Sequence, residues 1–396
     1  MGTLFWKKSP TFQLAQHVTL NEESDPAKIQ QFLDTLSETP YPKGLPLWEC
    51  VSFPNYPRGN YDTKSALVFR LHHTVTDVYG LLTLLHDFFD NKDSEKYQEN
   101  FTNSKPSKWT TNIWNVFQLI FVTPTEAIFY LLKGIDSNPL TLKAFRRSGE
   151  VVRCHNPVAM EMKNLKRISH AARTDNTALM FAGVAGAVRR IMKERGGNLN
   201  LDATSLYTLR SISSHPGTMM NNLTTAPLRM PLSEEKTDQR LIQISEQFRY
   251  LFNSNKLLGA AAICRGLGLI SGTLRKDLTF ANYGTLLHSN VPSFRENRYE
   301  LLVNPVEQFV PITALCQKSC AISIMSISYN GKMGISITAD KALFGRKVDL
   351  ERFINQIINE ISEIGDISWE REKVEIRGYD SGYASVTVKI PVMTTR

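Results

Sequence analysis

Ala66-Leu67-Val68-Phe69-Arg70-Leu71-His72-His73-Thr74-Val75-Thr76-Asp77 is the stretch from which the fold can be read. Ala66 to His72 is a short apolar run of strand length. Asp77 is a natural N-cap for a helix that runs on to Phe89. A strand that feeds a helix through a short loop opens a crevice at its carboxyl end. Neighbouring residues on an extended segment face opposite ways. One of the two imidazoles can therefore face a substrate channel while the other packs inward. Histidine is the usual general base because its pKa lies near working pH. A plainer reading fits the same residues: a core histidine beside an ordinary capping aspartate.

Other segments carry clear periods. Thr177 to Glu194 reads as a helix stopped by Gly196-Gly197, and Glu234 to Asn253 as another. Ala321 to Thr338 alternates, turns at Asn330-Gly331 and resumes, a strong hairpin signal. Phe353, Ile354, Ile357, Ile358, Ile361 and Ile364 form a helical stripe within Leu350 to Ile364. Helices and strands interleave with at least one antiparallel pair, so the fold class is α/β (α+β) with mixed sheets flanked by helices. A break is expected between Gly134 and Arg167, giving regions 1–150 and 151–396. From Trp369 the chain reads as a polar tail that ends strand-like.

No window of ~20 uninterrupted apolar residues is present. Ile113 to Leu132 comes nearest. Pro124 divides it, and Thr123 with Glu126 forms a capping-box pattern, so two short apolar helices are expected. They could be core helices or a hairpin dipping into a membrane or lipid-droplet surface, with Trp114, Phe117, Phe121, Phe129 and Tyr130 fitting either role. The 396 residues carry 46 Lys and Arg against 38 Asp and Glu, a net charge of +8. That excess suits an anionic surface or a phosphate-bearing ligand. No nucleic-acid partner is expected, because no RNA- or DNA-binding motif and no dense basic run appears. The five cysteines are mostly far apart, which suits a reducing compartment, and Cys316 with Cys320 reads as a pair of core thiols. There is no Gly-x-Ser-x-Gly elbow, no phosphate-binding glycine loop and no His-Glu-x-x-His, so no metal is expected.

Taken in order, the motifs resemble the wax ester synthase/diacylglycerol acyltransferase family of the CoA-dependent acyltransferase superfamily. His72-His73-Thr-Val-Thr-Asp77 matches the His-His-x-x-x-Asp-Gly signature, with Val78 in the glycine's place and Gly80 two residues on. Upstream stand Phe5-Trp6, His17-Val18 and Pro46-Leu47-Trp48-Glu49. Downstream come Leu209-Arg210, Asn221-Asn222-Leu223, Ser289-Asn290-Val291-Pro292, Ser328-Tyr329-Asn330-Gly331 and Thr338-Ala339-Asp340. The resemblance runs from Phe5 to Ile364. It implies two chloramphenicol-acetyltransferase-like lobes, the first shortened at its N-terminus, with a tunnel between them.

It also implies the chemistry. A long-chain acyl group moves from acyl-CoA to a fatty alcohol or diacylglycerol, with His73 as general base, His72 beside it and no cofactor beyond the CoA co-substrate. Ser289, Asn290 and the backbone near Gly80 are candidate donors to the oxyanion. Asn222 could line the tunnel wall or cap a turn, and Asp77 is expected to pair with Arg210 as a structural unit. Trp48 is expected in the core, and Thr338 and Asp340 at the lobe interface. The cytoplasmic face of the endoplasmic reticulum or a lipid droplet is the expected location, held through 113–132, with the cytoplasm as alternative. A second reading is a lipid- or protein-binding member without turnover. It rests on Val78, on Thr177-Ala178 where the family has Asn-Asp, and on the short first lobe. A condensation-type enzyme using carrier-bound acyl groups is a third, against which stands the lack of a carrier domain on this chain.

Overall fold

The computed structural model describes residues 9–56, 65–90, 116–117, 120–121, 124, 136–142, 147–210, 219–221, 223–253, 284–291, 298–315 and 320–380. After a single 3-10 turn (Leu14–Gln16) come β1 (Val18–Leu20), α1 (Pro26–Glu38), β2 (Trp48–Phe53), β3 (Ala66–Leu71) and α2 (Val78–Phe88). Then follow β4 (Val151–Glu161), α3 (Met162–Ala171), α4 (Asn176–Glu194), β5 (Thr204–Arg210), β6 (Leu223–Arg229) and α5 (Thr237–Asn253). The last elements are β7 (Leu286–Val291), β8 (Glu300–Leu301), β9 (Asn304–Pro305), β10 (Ile322–Tyr329), β11 (Lys332–Asp340) and α6 (Lys347–Asp380).

Strands β1-β2-β3 form a small sheet, with β1 parallel and β3 antiparallel to β2. Ile29 of α1 packs with Val51 and Phe53 on one of its faces. A second sheet has the order β4-β11-β10-β7-β5-β6 and mixes parallel with antiparallel pairs. Strand β10 is buried along its whole length because both faces of this sheet are covered. Ile322 and Ile324 join the core made with α4 and α6. Met325 and Tyr329, of the opposite parity, join Leu82, Leu85 and Phe89 at α2. The helix that follows the histidine pair therefore lies against the larger sheet.

Helix α4 explains the tight packing on the other face. A Cβ at Gly186 would stand 2.0 Å from the Glu360 carboxyl carbon, and one at Gly183 2.7 Å from the Ile361 side chain. These glycines let α6 approach closely enough for Glu360, 1% exposed, to reach Arg190 and Arg240. Arg153 of β4 is likewise buried and bonds Asp34 (2.9 Å), Leu33 O (3.2 Å) and Ser37 of α1. Arg147 bonds Glu38 of α1 (2.8 Å), while Asp340, wholly buried, accepts from the Ser148 N–H (2.9 Å). These bonds tie the small sheet's helix to the larger sheet.

The Asn330-Gly331 hairpin forms as expected, with both turn residues at positive φ (46° and 71°). The helix expected at Thr177 begins one residue earlier, where Asp175 caps it by accepting from the Ala178 N–H. The polar tail expected from Trp369 is instead a continuation of α6 to Asp380. Residues 369–377 are mostly Glu, Arg and Lys, which are good helix formers without an apolar stripe to announce them. The strand-like segment beyond, like Cys316, lies outside the described residues. Cys320 is buried, as are Cys50 and Cys154. Most of 113–132 also lies outside them. Within that segment Val116, Phe117, Ile120 and Phe121 are exposed, with the Phe117 and Phe121 rings 4.9 Å apart. No described helix is long and apolar enough to cross a membrane.

Candidate functional site

The ladder of the small sheet ends where the His72 N–H donates to Leu47 O (3.0 Å). The chain then turns, with the Val75 N–H donating to His72 O (2.8 Å). Asp77, 2% exposed, caps α2 by accepting from the Tyr79 (2.9 Å) and Gly80 (3.0 Å) N–H groups. A strand end, a turn and a cap thus fix both ends of a short loop. Both histidine rings lie on its exposed side.

A third chain segment clamps this loop from 143 or more residues away. Asp77 N–H donates to Met220 O (3.1 Å) and Thr76 Oγ1 to the same oxygen (3.4 Å). The Asn221 amide Nδ2 lies 2.7 Å from His73 O and 3.0 Å from His73 Nδ1. With both amide hydrogens donated, Nδ1 is an acceptor and Nε2 is the ring atom left for a ligand.

His72 is held differently. The Thr74 N–H donates to its Nδ1 (3.2 Å), and Thr74 Oγ1 lies 2.8 Å from the same nitrogen. The Tyr41 ring meets it edge-on at 5.9 Å, and Arg70, which stacks over Tyr41 at 4.0 Å, is ion-paired with Glu49. Partial burial, then the charges of His73 and Arg70, hold the His72 imidazole below its ordinary pKa. Pro46-Leu47-Trp48-Glu49 thus buttresses the pair from β2. Trp48 itself is half-buried, stacked at 4.6 Å on His17, which is buried.

Strand β7 carries Ser289 and Asn290 on opposite faces. Ser289 pairs with Met325 and shares the face of Val291, which packs against α2. Asn290 shares the face of Leu286 and His288. Its Oδ1 accepts from Ser326 Oγ (2.9 Å), and its side chain also bonds the Tyr207 hydroxyl. His288 is wholly buried among Phe181 and Tyr207, and neither ring nitrogen is hydrogen-bonded among the described residues. Burial alone pushes its pKa down to about 3.

The structure brings His72, His73, Asp77 and Gly80 together around one turn, and Gly80's own N–H is taken by the Asp77 cap. Arg210 closes β5, but its side chain lies outside the described residues, as does Asn222. Asn221 is the residue that sequence reasoning missed. Its motif was visible, but a contact spanning 148 residues leaves no local pattern. Among the described residues no group of three His, Cys, Asp or Glu could hold a metal ion. A surface hollow of about 470 Å³ lies elsewhere, between α3 and α6, lined by Arg167, His170, Ala171 and Trp369.

Comparison with known proteins covers nearly the whole chain. The model for the wax ester synthase/diacylglycerol acyltransferase catalytic domain matches residues 1–200, and that for the WS/DGAT C-terminal domain matches 220–365. A Mycobacterium tuberculosis protein described as a probable diacylglycerol O-acyltransferase is 22% identical over 263 residues, 61% of this chain and 55% of that protein. The chain spans about half the length of the curated relatives it matches. Among solved structures, a wax ester synthase/diacylglycerol acyltransferase from Marinobacter aquaeolei superposes with a TM-score of 0.58 at 14% identity, over 92% of this chain and 83% of that one. A trichothecene 15-O-acetyltransferase from Fusarium sporotrichioides gives 0.55 at 11% identity, over 88% and 76%. These likenesses show the expected fold, the two-lobed architecture of chloramphenicol-acetyltransferase-like enzymes. With both domain models in place over more than half its length, the chain belongs to the wax ester synthase/diacylglycerol acyltransferase family.

Proposed function

We propose that this chain is an acyl-CoA-dependent O-acyltransferase that esterifies a fatty alcohol or diacylglycerol, giving wax ester or triacylglycerol, with His73 as general base. The observation that carries this reading is an exposed imidazole at the end of β3, held at its carbonyl and at Nδ1 by one amide, Asn221. Nε2 takes the proton of the acceptor hydroxyl, the alkoxide attacks the thioester carbonyl, and the proton passes to the departing CoA thiolate. For Nε2 to accept a proton, Nδ1 must carry the ring hydrogen. The Asn221 Nδ2–Nδ1 bond is then given up, while Nδ2 keeps its bond to the His73 carbonyl and so holds the residue in place. Ser289, on the face toward α2, donates to the oxyanion, while Asn290 is tied to Ser326 and Tyr207. Asp77 fixes the loop as the cap of α2, with Arg210 as its charged partner and Asn222 at the tunnel wall.

The lobes divide near residue 150, just before β4 opens the larger sheet at Val151. The exposed Phe117 and Phe121 support contact of segment 113–132 with a membrane or lipid-droplet surface, at the cytoplasmic face of the endoplasmic reticulum. Incubating the pure protein with labelled palmitoyl-CoA and either hexadecanol or diacylglycerol tests the activity. Labelled ester with stoichiometric free CoA is expected. A folded protein that binds palmitoyl-CoA and forms no ester would favour the binding-module reading instead.

A further inference from the structure

The β8–β9 hairpin is built against ordinary turn chemistry. Glu300 pairs with Pro305 and Leu301 with Asn304, so the two turn residues are Leu302 and Val303. Their φ angles are 51° and 55°. Positive φ at both positions is the type I′ pattern, which selects Asn and Gly. In that region an L-residue's Cβ crowds the following carbonyl, and a β-branched valine is a genuine outlier. The side chains are also 74% and 86% exposed, above every other large apolar residue among those described. Phe88, 47% exposed, leaves the adjoining end of α2.

The hairpin is braced in this shape. The Val303 N–H donates to Asp90 Oδ2 (2.7 Å), and Asn304 Nδ2 to Leu302 O (2.7 Å). At the base, the Tyr329 hydroxyl donates to Val306 O (2.6 Å) and accepts from the Tyr299 N–H (3.0 Å), while the Tyr299 ring stacks on Phe89 at 4.5 Å. Strain of this kind persists only where the surroundings over-determine it, and it gathers at functional sites. Here the surroundings hold two apolar side chains out in water.

We propose that the Leu302–Val303 tip inserts into the acyl layer just beneath the headgroups of a phospholipid surface. Two side chains are far too little for a protein partner, which needs ~800 Å² on each side of a stable interface. They are enough for a lipid surface, where each withdrawn side chain contributes by itself. The chain's net charge of +8 complements anionic headgroups. This deepens the membrane-surface reading of segment 113–132 but does not depend on the acyl-transfer chemistry.

The test replaces the tip with the residues its geometry prefers, Leu302→Asn with Val303→Gly. The full chain is floated with vesicles of equimolar phosphatidylcholine and phosphatidylglycerol. The unaltered protein is expected to float, and the double variant to partition on the order of a hundred-fold less. Its melting midpoint should rise, because the backbone strain is gone. That rise separates lost binding from lost folding. Undiminished flotation of the double variant, or no flotation of the unaltered chain, overturns the proposal. So does a dimer-to-monomer shift in the variant, which would make the tip a contact between copies. If Phe117→Ser with Phe121→Ser abolishes flotation while the hairpin variant binds normally, the membrane-surface reading stands and the hairpin's part in it falls.

Discussion

Two histidines in this molecule have nearly opposite surroundings. His73 sits on an exposed loop, its carbonyl and Nδ1 both gripped by Asn221. His288 lies on β7 beside Ser289, sealed among aromatic rings with no hydrogen bond to either nitrogen among the described residues. The same side chain is thus used once within reach of solvent and once sealed from it. Burial without a partner disfavours the charged ring, whereas exposure with one nitrogen held leaves the other available. Position in the fold, not residue type, separates a candidate base from a core residue.

The largest expected effect that would sharpen this contrast is on acid stability. Unfolding returns the His288 imidazole from about 3 to its ordinary value of 6.5. Below pH 6.5 the unfolded chain therefore binds a proton that the folded chain refuses. Stability falls as pH drops toward 3 and is regained as pH rises. His288→Phe should keep the packing, remove two unbonded buried nitrogens and flatten this part of the profile. Denaturant melts between pH 4 and 7 (about the window that the shift defines) check it. A profile unchanged by the substitution would break the comparison on its buried side.

The next effect concerns the loop that carries His73. Asp77→Ala removes the acceptor for two N–H groups of α2 and should cost about 1–2 kcal/mol. Activity should fall as well, because the cap and the histidine turn share one backbone. Asp77→Asn keeps a capping oxygen and removes the charge, so any loss it shows measures the charge itself, as the proposed pairing with Arg210 requires. Thermal melts with kcat/KM on the same samples separate the two. Asn221→Leu should lower kcat by about ten-fold, or ~1.4 kcal/mol in transition-state stabilisation, with little change in melting. Asn221→Asp, which keeps the size but not the N–H donated to the His73 carbonyl, should give a similar loss. Equal rates in the unaltered and Leu proteins would reduce Asn221 to a loop clasp. His72→Ala is the smallest, a few-fold at most (under ~1 kcal/mol), because that ring is occupied with Thr74 and Tyr41.

Much of this was legible in the chain itself. Apolar run, histidines and capping aspartate gave β3, the loop and α2 nearly to the residue, because each depends on neighbours in sequence. The Asn330-Gly331 turn was legible for the same reason. Leu302–Val303 was not. No propensity places a branched residue at positive φ, and the contacts of Asp90, Asn304 and Tyr299 hold it there. Asn221 and the sealed state of His288 were equally hidden, since both arise from segments brought together by folding. The run from Trp369 to Asp380 was misread because a helix without an apolar stripe carries no periodic signal.

The central claim is that His73 removes the acceptor's proton. Ester formation from labelled palmitoyl-CoA and hexadecanol, followed side by side for the unaltered protein and for His73→Ala, tests it most directly. The account predicts a loss of about 10²- to 10⁴-fold in kcat, as for other removed general bases, with melting unchanged. Undiminished ester formation by the folded His73→Ala protein would contradict it.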